Sequence, residues 1–189
     1  MRVITGSARG RRLRELEGME TRPTTDRVKE GMFSALQFDI EGRKVLDLFA
    51  GTGQLGIEAL SRGAASAVFV DRRADAVKLI RENLKVTELT DRARVISGDS
   101  MEYLSCLREK FDIVLLDPPY EAGLLAPALE HLVGFDILNP HGIIVAEHPL
   151  GMALPAVGEP YRVHRTYRYG KIAMTIYRRS GEGKSEEQT

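Results

Sequence analysis

From Lys44 onward the chain alternates between short apolar runs and longer stretches whose apolar residues recur at helical spacing. KVLDLF (44–49), ASAVFV (65–70), ARVIS (93–97), FDIVLLD (111–117) and GIIVAEH (142–148) are of strand length and largely apolar, the pattern of strands covered on both faces. Between them, LGIEALSRG (closed by Gly63), ADAVKLIRENLKV and segments near Met101–Leu107 and Leu124–Leu132 read as helices. Strand and helix in alternation predict a doubly wound α/β fold with a mostly parallel sheet. Residues 161–168 and 171–178 follow one another with no helix between, which predicts an antiparallel hairpin at one edge. In front of this domain, residues 1–16 predict a hairpin turning at Gly6 and Gly10. DRVKEGMFSALQF then predicts a helix with Thr25 as cap, Asp26 in the first turn, and Val28, Met32, Ala35 and Leu36 on one face. The expected organisation is an N-terminal extension over 1–40, the α/β domain over 41–179 and a disordered polar tail over 180–189.

Length and composition narrow the class. At 189 residues and 43% hydrophobic content, one domain with a sizeable core is expected, plus appendages. The single cysteine, Cys106, excludes an internal disulfide and any multi-cysteine metal site, fits a reducing cytoplasm, and reads as a small buried hydrophobe. No apolar run approaches membrane-spanning length, so a soluble cytoplasmic protein, monomeric and without metal, is expected.

Formal net charge is zero, but its distribution is uneven. The first fourteen residues carry Arg2, Arg9, Arg11, Arg12 and Arg14 without an acid; the segment 161–179 carries Arg162, Arg165, Arg168, Lys171, Arg178 and Arg179, again without one. Such patches are either solvated edge protection or a nucleic-acid surface, and two of them on a neutral protein favour the latter. Period two places Arg162, His164 and Arg168 on one face, toward phosphate, and Tyr161, Val163, Tyr167 and Tyr169 on the other, toward the core.

GTGQLG (51–56) fits the G-x-G-x-x-G template for an adenosine cofactor and lies between a strand and a helix, where backbone donors are exposed. Asp47, four residues earlier, separates two cofactor readings. A carboxylate there repels a pyrophosphate and attracts the ammonium of an amino-acid tail, which favours S-adenosylmethionine over NAD. Gly51 and Gly53 permit close approach, Asp71 is placed for ribose hydroxyls and Asp99 for an adenine amine, although each of these acids also reads as a helix cap. The candidate cofactor set is Asp47, Phe49, Ala50, Gly51, Thr52, Gly53, Asp71, Arg72, Asp99 and Ser100.

DPPY (117–120) ends the fourth strand, and in this topology the first and fourth strands are neighbours. The prolines fix the backbone and remove two donors, leaving the Asp117 side chain and nearby carbonyls as acceptors. Such a cluster suits an exocyclic amine. Accepting its hydrogens at Asp117 and the Pro118 carbonyl pyramidalises the nitrogen and frees its lone pair, while Pro119 stiffens the turn and Tyr120 offers a face for an unstacked base. Whether Asp117 or water takes the proton is left open at this point, as is the choice among RNA, DNA and protein amines.

With DLFAGTG, FVD, GDS and DPPY in this order, the chain resembles class I S-adenosylmethionine-dependent methyltransferases with a Rossmann-like sheet. MRVITGSARGRRL, TRPTTDRVKEGMF, LDLFAGTGQLGIEALSRGA and LLDPPY together resemble the RsmD family of 16S ribosomal RNA guanine-N2 methyltransferases. The resemblance covers nearly the whole chain to YRRS. It implies a guanine of small-subunit rRNA as substrate, and contacts to cofactor or RNA from Arg22, Thr24, Thr25 and Arg27; Arg9, Arg11, Arg12, Arg162 and Arg168 complete the expected RNA-contacting set. Gln54 stands where the family more often has a small residue, and His148 in AEHP reads as structural.

Overall fold

A computed structural model describes residues 1–16 and 26–181. Seven strands, β1 (Lys44–Asp47), β2 (Ser66–Asp71), β3 (Ala93–Ser97), β4 (Phe111–Leu116), β5 (Leu138–Pro149), β6 (Tyr161–Tyr169) and β7 (Ile172–Arg179), form one sheet in the order β3-β2-β1-β4-β5-β7-β6. Strands β1 to β5 pair in parallel, and β7 and β6 form the antiparallel edge hairpin. The helices are α1 (Asp26–Ala35), α2 (Gln54–Ser61), α3 (Ala74–Thr87), α4 (Ser100–Ser105) and α5 (Leu125–Gly134).

Neighbouring residues of each central strand feed opposite cores. Val45, Phe69 and Leu115 pack beneath Phe33, Leu60 and Ile80 from α1, α2 and α3; Leu46, Val114 and Ile144 pack against Leu104, Leu129 and Leu132 from α4 and α5. This is why the strands lack polar alternation: neither face meets water. Among the described residues no helix is long and apolar enough to cross a membrane.

The N-terminal segment turns back on itself through an Arg2–Arg12 bridge and a Val3 amide bond to the Arg11 carbonyl, not through a regular ladder. Its backbone is held by α2 instead. Glu58 accepts the amides of Ile4 (2.8 Å) and Thr5 (3.0 Å), and Ser61 Oγ accepts that of Ala8 (3.0 Å). Gly6, at φ +89°, lies so close that a Cβ would sit 1.8 Å from the Ser61 carbonyl oxygen. The fully buried Lys29 of α1 completes the clamp, donating to the Arg2 carbonyl at 2.6 Å beside Glu58 at 3.7 Å; burial lowers its pKa. Val28 and Met32 of α1 and Leu36 just past its end are buried as expected, with Ala35 half-buried, while the Thr25 cap and the 182–189 tail lie outside the described residues.

Two expectations are corrected. The period-two reading of residues 161–169 fails at a bulge: Val163 pairs with Tyr177 and Arg165 with Ile176, so His164 is the extra residue and the faces exchange beyond it. Arg162 and Arg168 therefore lie on opposite faces, and Val163 is 56% exposed. Cys106 is exposed because it follows the short α4 on its outer end. The basic C-terminal hairpin is also partly neutralised. Arg178 pairs with Asp39 at 2.8 Å, and Arg179 grips both oxygens of Asp136 at 2.7 and 2.9 Å. That fork, with Lys110 and Tyr161 adding hydrogen bonds, holds the Asp136 carboxyl well below the usual range.

Candidate functional site

Parallel strands β1 and β4 lie side by side at the reversal of strand order, and their carboxyl ends open the crevice where such sheets bind ligands. Asp47 ends β1. It is 1% exposed, and its Oδ2 accepts the Gly56 amide of α2's first turn at 2.9 Å. Burial pushes its pKa up to about 7, the charges of Asp117 and Asp71 push the same way, and the Gly56 hydrogen bond opposes them. Three carboxylates thus converge electrostatically around one loop.

The three glycines of GTGQLG do different work. Gly51 (φ +54°) and Gly53 (φ +78°) adopt left-handed backbone; at Gly51 a Cβ would meet nothing within 4 Å, so the loop's outer side there is open. Gly56 instead permits helix–sheet contact, since a Cβ would lie 2.3 Å from the Phe69 ring. Asp71, ending β2, accepts the Gly51 amide at 2.8 Å and the Arg73 amide at 2.9 Å. Asp99 caps α4 through Oδ1, accepting from Met101 (2.8 Å) and Glu102 (3.2 Å), so the cap reading is realised there. Ser100 Oγ donates to the Leu48 carbonyl at 2.7 Å and fastens the start of α4 to the end of β1, ahead of the glycine loop. Ala50 and Gln54 are buried, Phe49 and Thr52 half-buried, and Arg72 exposed.

Beyond Leu116, Asp117 is half-buried, Pro118 buried, Pro119 exposed and Tyr120 half-buried. Tyr120 Oη donates to Glu147 Oε1 of β5 at 2.8 Å. Two partners here were missed by sequence reasoning. Glu147 was absorbed into an apolar strand. Asn83 was absorbed into a helix, yet its Nδ2 donates to the Thr52 carbonyl at 2.9 Å and its Oδ1 accepts the Arg14 amide at 2.8 Å, tying the glycine loop to the N-terminal segment. The signal for Asn83 was available, since an amide shares the apolar face of Ile80 and Leu84.

Of the expected RNA-contacting residues that the structure describes, Arg162 and Arg168 lie on opposite faces of β6. Arg9, Arg12 and Arg27 are exposed, as are Arg162 and Arg168. Arg11 pairs with Glu88 at 3.0 Å just past α3, which partly neutralises it. Arg22, Thr24 and Thr25 lie outside the described residues. His148 is buried, with Nε2 2.9 Å from Thr175 Oγ1 and Nδ1 3.0 Å from the Pro149 carbonyl, which fits a structural role. A cavity of about 790 Å³ lies between residues 150–157 and the β6–β7 hairpin, away from the glycine loop.

A glycine loop after the first strand, acids ending the first two, and DPPY ending the fourth of a 3-2-1-4-5-7-6 sheet define the methyltransferase type of doubly wound fold. The family model described as conserved hypothetical protein 95 matches residues 1–178, and the chain belongs to that family, the RsmD family its motifs resemble. It is 41% identical over 184 residues to the Bacillus subtilis (strain 168) protein YlbH, covering 96% of this chain and 100% of that one. It is 37% identical over 187 residues to the ribosomal RNA small subunit methyltransferase D of Escherichia coli (strain K12), covering 98% of this chain and 93% of that one. The solved Escherichia coli protein yhhF superimposes with a TM-score of 0.87 at 33% identity, over 96% of this chain and 99% of that one.

Proposed function

We propose that the protein transfers a methyl group from S-adenosylmethionine to the exocyclic N2 of a guanine in the 16S rRNA of the small ribosomal subunit. The observation that carries the reading is the acid cluster around the glycine loop, with Asp47 raised to about 7. A buried carboxyl flanked by half-buried acids is relieved by a cation, and the cluster is aggravated by a pyrophosphate. The site therefore fits a cofactor with an ammonium and a sulfonium, and its open side at Gly51 leaves room for close approach.

When bound, S-adenosylmethionine supplies an electrophilic methyl group on a good leaving group. The chain's own work is then to hold and orient. Asp47 takes the ammonium. Asp71 spends one lone pair per oxygen on the Gly51 and Arg73 amides and keeps the others for ribose hydroxyls; Asp99 keeps Oδ2 for the adenine amine. Asp117 and the Pro118 carbonyl accept the target amine's hydrogens, and Tyr120 supports the base. Arg9, Arg12, Arg27, Arg162 and Arg168 meet phosphates. The name of the Escherichia coli relative supports small-subunit rRNA as the substrate class.

Incubation with methyl-labelled cofactor and separate RNA, DNA and protein fractions tests the class. Label in small-subunit rRNA is expected. Label in DNA or protein alone, or saturable NADH binding without S-adenosylmethionine binding, contradicts the reading.

A further inference from the structure

Tyr120 is anchored from two directions. Its backbone follows two prolines, with Pro119 at φ −56°, and its hydroxyl reaches Glu147 at 2.8 Å. Glu147 is 4% exposed, and it follows Ala146, the residue paired with Leu116 immediately before Asp117. The tip of β5 therefore places a buried carboxylate beside the tip of β4. Val145 and Met174, on the same side of the sheet, belong to the apolar core.

We infer that Glu147 is a positioning residue for methyl transfer, holding the Tyr120 ring at the angle on which the target base lies; this rests on the reading of Tyr120 as the base platform. The prolines fix the main chain but leave the tyrosine's two side-chain torsions free to hop between rotamers. A ring that swings cannot keep an unstacked base in line with its reaction partner, and small misplacements at a reacting centre are costly in rate. A hydrogen bond to a buried carboxylate is stronger than one between neutral groups, and it clamps the ring at the end opposite the backbone. The hydroxyl is then turned toward the protein, so the base meets the ring face and not the phenol oxygen.

Single-turnover methylation rates and cofactor affinity of five variants test this. Tyr120→Phe keeps the ring and Glu147→Ala removes its anchor; each should lower the rate about tenfold with cofactor affinity unchanged within about twofold. The Tyr120→Phe/Glu147→Ala pair should lose about tenfold again, not a hundredfold, because both changes remove one contact. Glu147→Gln, which keeps an acceptor, should recover most of the rate. Multiplying losses in the double variant overturn the inference. If Glu147→Ala does not fold, a wild-type rate in Tyr120→Phe overturns it and a tenfold loss supports it. A fully active Tyr120→Ala would instead overturn the base-platform reading itself.

Discussion

Asp47→Asn is expected to abolish S-adenosylmethionine binding while making the ligand-free protein more stable at alkaline pH. Burial raises the Asp47 pKa to about 7 from the ordinary 3.8, so the fold disfavours its charged form. A group shifted in this direction stabilises most below its unfolded pKa, and that contribution is lost as pH rises through the folded value near 7. Above that pH the protein carries a buried anion at a cost of about 2–4 kcal/mol, which a neutral amide avoids while still accepting the Gly56 amide. Urea unfolding at pH 5 and pH 8.5 checks this: the variant's advantage should be small at pH 5, where the loss that starts above pH 3.8 has only begun, and full at pH 8.5. The same linkage makes cofactor binding pH-dependent in the wild type. An ammonium beside Asp47 favours the carboxylate, so affinity should rise as pH climbs toward 7 and level off above it. Equal stability at both pH values, with cofactor still bound, would contradict both halves of the prediction.

Asp117→Ala is expected to lower the methylation rate by about two to three orders of magnitude, the scale on which loss of one oriented group at a reacting centre is felt. Cofactor affinity should change little, because Asp47 and the glycine loop stay in place. One secondary effect separates this from general damage. Asp117 contributes to the raised Asp47 pKa, so its removal should move the pH at which cofactor affinity levels off downward. Calorimetric titration across pH alongside single-turnover assays reads both quantities. A variant that keeps its rate would remove Asp117 from the acceptor role.

The features legible in the sequence were those fixed locally. Short apolar runs joined by helices determine a sheet covered on both faces, and DPPY pins its own backbone, so both read directly. Asp71 and Asp99 had two readings each, and the hydrogen bonds to Gly51, Arg73, Met101 and Glu102 show both acids serving the backbone. What could not be read depended on partners distant along the chain. The bulge at His164 is decided by pairing with β7, and a one-residue slip sent Arg162 and Arg168 to opposite faces. Glu147 and Tyr120 are 27 positions apart, and strand periodicity marks the first as interior without naming its partner. The N-terminal segment was read as a hairpin, but what fastens it to the fold is Glu58 and Ser61, which take the Ile4, Thr5 and Ala8 amides across more than fifty residues.

The central claim concerns one nitrogen on one kind of base. Small ribosomal subunits lacking the modification, incubated with the protein and methyl-labelled S-adenosylmethionine and then digested and mapped, should carry the label as N2-methylguanine at a single position of 16S rRNA. Label on an adenine, a cytosine or another atom of guanine, or none in the RNA, would contradict the account.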